Sequence, residues 1–121
     1  MSNFNDKPTL DISVYQQLCK DLGDEDGSNG VIAGLMIDFR EDAQRLITDL
    51  RHGFTQADAR LFQRSAHTLK SNSAMFGALK LSAMCKEMEE MGKTDLFDGA
   101  AERIATLEIE FEKVLTALPI T

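Results

Sequence analysis

The sequence has no tryptophan, one tyrosine, two prolines and two cysteines in its 121 residues. The prolines, Pro8 and Pro119, stand near the two ends, so nothing between them is barred from being helical. Cys19 and Cys85 fit a reducing compartment as two buried free thiols. No apolar run approaches the roughly 20 residues a membrane span needs, and Met1 to Asp6 lacks the basic start and apolar stretch of a signal peptide. What remains is a 43% hydrophobic chain rich in Leu, Ala, Met, Ile and Phe, which argues against disorder and suits helix packing better than sheets. These features predict one helical domain over residues 1–121, cytoplasmic and off the membrane.

The formal charge of −7 argues against sequence-independent nucleic-acid binding. Residues 60 to 86 hold Arg60, Arg64, Lys70, Lys80 and Lys86 but no Asp or Glu, so every acid lies outside this stretch. A basic island in an acidic chain points to an anionic ligand or partner there.

Five helices are expected from the spacing of apolar residues. The first runs from about Asp11 to Leu22, with Ile12, Tyr15, Leu18, Cys19 and Leu22 inward, and stops at Gly23. The loop from Gly23 to Gly27 superficially resembles a calcium loop, but it lacks alternating ligands and a distal Glu and reads as a solvated turn. The second helix starts near Ser28 or Asn29, either of which can cap it, and ends at Gly53. Thr55 with Asp58 resembles a capping box for a third helix, which runs to about Met75 and breaks at Gly77. The fourth spans Leu79 to Met91, using Leu81, Met84, Cys85 and Met88, and closes at Gly92. Thr94 or Asp95 caps the fifth, whose stripe is Phe97, Ala100, Ile104, Leu107, Phe111, Val114 and Leu118. Such regular spacing marks a bundle seam. Short connections favour antiparallel neighbours, so the expected fold is all-α: an antiparallel up-and-down four-helix bundle with a short extra N-terminal helix.

His67 does not fit the core of that bundle. The apolar face of its helix is Phe62, Ala66, Leu69, Ser73 and Phe76. At about 100° per residue, His67 points roughly 140° away from the centre of that face. Free imidazole titrates at about 6.5, so near neutral pH one ring nitrogen of a surface histidine keeps a free lone pair, a reactive group held out to a partner. Lys70 and Ser71, three and four residues on, lie beside it on the helix surface, as does Arg64 three residues before. Lys70 and Arg64 bring positive charge to either side of the ring, where an anion could be held, and Ser71 is small and can donate a hydrogen bond. No Gly-rich phosphate loop accompanies them, nor a His/Cys/carboxylate cluster with metal spacing. His52, beside Gly53 at a helix end, suits the helix dipole. Met75, Met84, Met88 and Met91 read mainly as core filler, an exposed one being able to join a docking surface.

The run from His67 to Ala78, His67-Thr68-Leu69-Lys70-Ser71-Asn72-Ser73-Ala74-Met75-Phe76-Gly77-Ala78, resembles the signature of histidine-containing phosphotransfer (HPt) domains, roughly H-x-L-K-G-S-S-x-x-x-G-A. His67, Leu69, Lys70, Ser73, Gly77 and Ala78 fit it directly; Ser71 stands where Gly is commonest and Asn72 where Ser or Ala is common. The likeness extends through Ser65-Ala66 and the run from Leu81 to Glu89, and in helix order over about residues 9 to 118.

The resemblance implies a phosphorelay intermediate. His67 would accept a phosphoryl group from a receiver-domain aspartate and pass it to another response-regulator receiver. It implies no cofactor on this chain, with magnesium bound by the partner receiver, and no autonomous ATP-dependent kinase activity. It also places Glu89 where the family often has a polar residue that orients the imidazole. The expected partners are receiver domains and a hybrid sensor histidine kinase, with the protein itself a monomer. The docking face would combine the His67 side of the third helix with Ala43, Leu46 and Ile47 of the second. Two alternatives stand: the phosphoryl-accepting domain of a chemotaxis-type histidine kinase, and an adaptor bundle whose histidine is not phosphorylated. A dimerising kinase helix pair fits less well, because the Glu and Pro expected after that histidine are missing and Thr68-Leu69-Lys70-Ser71 stands there instead.

Overall fold

Asp11 starts the first helix. In the computed structural model, which describes residues 6–119, its carboxylate accepts the backbone N–H groups of Ser13 and Val14 at 3.0 and 3.3 Å. Those donors have no partner inside a helix, so satisfying them sets where α1 (Ile12–Asp21) begins. Four longer helices follow: α2 (Val31–Thr55), α3 (Ala59–Met75), α4 (Leu79–Thr94) and α5 (Ala100–Ala117). Among the described residues there is no strand. The signal-segment reading of Met1 to Asp6 falls, apart from Asp6, outside them.

α3 packs between α2 and α4, and α5 closes the ring against α4 and α2. The turns are too short for anything but antiparallel neighbours, so the expected four-helix bundle is the observed one. α1 leans on α3 at one end of the bundle. It is pinned there by the Asp11 N–H donating to the Gly77 carbonyl at 2.7 Å and by the Lys80 N–H donating to the Pro8 carbonyl at 3.0 Å. The helical periodicity predicted the interior well. Phe62, Ala66, Leu69, Ser73 and Phe76 are all buried, as are Ile104, Leu107, Phe111 and Val114 on α5. Each fully buried Leu, Ile or Phe contributes about 1.5–3 kcal/mol over leaving it exposed. Phe39 stacks obliquely on Phe76, ring centres 4.9 Å apart, and Phe62 meets Phe97 edge to face at 5.0 Å. Cys19 and Cys85 are buried free thiols.

The structure corrects several boundaries. Ile12 is exposed, because α1 turns only the Tyr15 and Cys19 side inward, with Leu18 and Leu22 partly covered. Neither Ser28 nor Asn29 caps α2. Asp24, wholly buried, reaches forward to accept the N–H of Asn29 at 2.8 Å and of Ile32 at 2.9 Å. The supposed solvated turn therefore carries the anchor of α2. Gly53 and Gly92 do not end their helices, which run on to Thr55 and Thr94. Both glycines sit where helices touch: a Cβ on Gly53 would lie 2.9 Å from the Phe62 nitrogen, and one on Gly92 2.8 Å from the Gln63 Cβ. Thr55 belongs to α2 and caps nothing; Asp58 alone caps α3, accepting the Leu61 N–H at 3.0 Å. Thr94 and Asp95 finish α4, and Gly99 opens α5 without a side-chain cap, leaving Phe97 in the preceding turn.

Candidate functional site

α3 carries no proline or glycine, and its inward stripe fixes its rotation about its own axis. His67 is thereby turned outward, with its side chain 60% exposed. α4 lies close alongside α3. Gly92 admits Gln63 at the crossing, and the Ser82 hydroxyl donates to the Lys70 carbonyl at 3.0 Å. This contact brings Glu89 of α4 under the ring. Its side chain, only 6% exposed, places Oε2 2.8 Å from His67 Nδ1 and Oε1 2.6 Å from the Lys70 ammonium.

A buried carboxylate without partners would cost several kcal/mol (order of magnitude) and take up a proton instead. Here the Lys70 hydrogen bond, and after it that of His67, hold the Glu89 carboxyl below the usual carboxylate range despite burial. An ionised carboxylate can only accept hydrogen bonds, so Nδ1 must carry the imidazole proton. In the neutral form of the ring the lone pair is then on Nε2. The arrangement thus presents a nucleophilic nitrogen to solvent, with its ring held from behind.

Beside the ring runs a shallow groove of about 690 Å³ whose walls include Arg45 and Leu46 of α2, Arg64 and His67 of α3, and Glu89 and Lys93 of α4. Lys70, Glu89 and His67 come together, and Arg64 is exposed on the same side. The Ser71 hydroxyl is exposed and donates to the His67 carbonyl one turn back at 3.3 Å. Gly77 is not at the site. It lies ten residues on, about 15 Å along the helix axis, where a φ of 86° turns the chain and a Cβ would come 2.6 Å from the Asp11 carbonyl. Of the expected docking residues on α2, Ala43 and Ile47 are core residues facing inward; only Leu46 borders the groove. Met75 is exposed, whereas Met84 and Met88 are core. His52 sits in the last turn of α2, as its dipole preference predicts. Lys93 escaped the sequence reading. Its signal was the i, i+4 spacing from Glu89, which puts the two on one face of α4. Among the described residues no group of three or more His, Cys, Asp or Glu side chains could hold a metal ion, and no helix is long and apolar enough to cross a membrane.

The comparisons with known proteins agree with this geometry. A model of the Hpt domain matches residues 34–117. Multistep phosphorelay regulator 1 of Schizosaccharomyces pombe (strain 972 / ATCC 24843) is 25% identical over 115 residues, covering 95% of this chain and 38% of that protein. The chain thus spans well under half the length of that relative. The crystal structure of histidine-containing phosphotransfer protein B from Pseudomonas aeruginosa PAO1 superposes with a TM-score of 0.79 at 29% identity, covering 88% of each chain. With the family model spanning more than half of the sequence, this chain belongs to the Hpt domain family.

Proposed function

We propose that His67 is the phosphoryl acceptor of a phosphorelay, receiving the group from the aspartyl phosphate of one response-regulator receiver and yielding it to the aspartate of another. Nε2 attacks the phosphorus, and a P–N bond forms as the P–O bond to the donor aspartate breaks. The electron pair of that bond leaves on the donor carboxylate. The imidazole becomes cationic while still carrying its Nδ1 proton, and Glu89 faces that proton at 2.8 Å. Onward transfer is the same step reversed, with the second aspartate as nucleophile. The contact between a buried, ionised Glu89 and an exposed His67 is the observation that carries this reading, because it selects Nε2 and stabilises the charge that develops on the ring.

Around the ring, Lys70 supplies fixed positive charge and Arg64 further charge along the groove. The long 3.3 Å bond of Ser71 leaves its hydroxyl free to turn toward a phosphoryl oxygen, and its small side chain gives a receiver room. The chain needs no cofactor for this step; magnesium would be bound by the partner receiver. It acts as a carrier without ATP-dependent kinase activity of its own, working as a cytoplasmic monomer with receivers and a hybrid sensor histidine kinase as partners. Phosphotransfer from a phosphorylated receiver to the wild type and to His67→Gln tests the assignment.

A further inference from the structure

Lys93 stands one turn beyond Glu89 on α4 and lines the groove beside His67, its side chain 48% exposed. Its ammonium lies 3.9 Å from Glu89 Oε2, the oxygen that also faces His67 Nδ1, and 3.7 Å from Glu90 Oε1. Both separations exceed hydrogen-bonding distance, so nothing holds the group tightly. Lys70 is held differently: it is 28% exposed and bonded to Glu89 Oε1 at 2.6 Å. Moving Lys70 away would strip a buried carboxylate of its close counter-ion, which is strongly unfavourable. Moving Lys93 away loosens only distant contacts, one of them to an exposed Glu90.

We propose that Lys93 is the cation that moves onto the phosphoryl group of phosphorylated His67, while Lys70 stays on Glu89 as its counter-ion. This rests on His67 being the acceptor. A phosphoryl group on Nε2 brings about two negative charges to the mouth of the groove. The flexible four-carbon stem and three donors of a lysine let Lys93 swing to its oxygens. Lys93 keeps its proton throughout and forms no covalent bond. Arg45 and Arg64 line the same groove, but Arg45 is paired with Asp42 at 3.1 Å. Among the described residues only Lys93 combines a place in the groove with nearness to the oxygen that faces the ring. Glu89 thus divides the labour of two lysines, one fixed and one mobile.

The test loads the purified full chain with phosphoramidate, a small phosphoryl donor that needs no partner protein, and follows the phosphohistidine by phosphorus NMR across pH. Lys93→Gln is expected to raise the proton affinity of the bound phosphoryl group about fivefold, the scale of one lost, partly exposed ion pair. Lys93→Arg should restore the wild-type titration, and Lys70→Gln should move it less than Lys93→Gln does. A Lys93→Gln titration that coincides with the wild type, or a larger shift from Lys70→Gln, overturns the proposal. The resonance that titrates in the wild type persisting unchanged in His67→Gln, and disappearing instead in His52→Gln, would overturn the acceptor assignment itself, and this inference with it.

Discussion

His67 and Glu89 approach within 2.8 Å, the first on the outside of α3 and the second almost fully buried on α4. The basic island of residues 60 to 86 is therefore completed by an acid from beyond its edge. The carboxylate reads the ring from one side and Lys70 from the other, at 2.6 Å. One anion thereby fixes a tautomer and immobilises a cation.

Glu89→Ala should leave the bundle folded and slow phosphotransfer by about one to two orders of magnitude, the effect of losing a charge-assisted hydrogen bond in the transition state. Glu89→Gln, which can still accept the Nδ1 proton's hydrogen bond, should fall between. Single-turnover transfer from a phosphorylated receiver measures both. Equal rates for wild type and Glu89→Ala would show that the contact does nothing for the chemistry.

Acid should reveal the same carboxylate in stability. Because Glu89 titrates below the unfolded value of 4.5, its stabilisation is complete above that pH and is lost as pH falls through the lower folded-state value. Urea midpoints of wild type should therefore drop more steeply in that acid window than those of Glu89→Gln. Parallel curves would contradict the assigned ionisation.

Asp24→Ala should destabilise the fold by about 2–3 kcal/mol, since the buried N–H of Ile32 and the part-buried N–H of Asn29 lose their carboxylate acceptor. His67 lies on another helix, so transfer per folded molecule should not change. Chemical denaturation and active-fraction-corrected kinetics separate the two.

Two glycines should respond oppositely to alanine. Gly77→Ala meets both a positive φ and the Asp11 carbonyl at 2.6 Å, and should cost about 2 kcal/mol or more. Gly34→Ala, inside α2 with nothing within 4 Å, should gain about 0.5–1 kcal/mol. Urea unfolding of the two variants checks the contrast.

Much of this architecture was legible in the sequence, and the misses share a cause. The face from Phe62 to Phe76 obeys helical periodicity, so α3 and the outward turn of His67 followed directly. Gly53 and Gly92 read as stops in the sequence because a glycine that ends a helix and one that lets a neighbour approach look alike along one chain. Only the facing residues, Phe62 and Gln63, distinguish them. Asp24 looked solvated because its bonds run forward over a reverse turn to a helix that the loop itself positions. The sequence shows Lys93 only as an i, i+4 neighbour of Glu89, because its relation to His67 passes through the packing of α3 on α4. Family resemblance pointed to Glu89, but its hold on Lys70 became visible only with both helices in place.

The most direct measurement is transfer of labelled phosphoryl groups from a phosphorylated receiver domain to the wild-type chain and to His67→Gln. The account predicts acid-labile label on the wild type, returned to a second receiver, and none on His67→Gln. Equal labelling of the two proteins, or none on either, would contradict it.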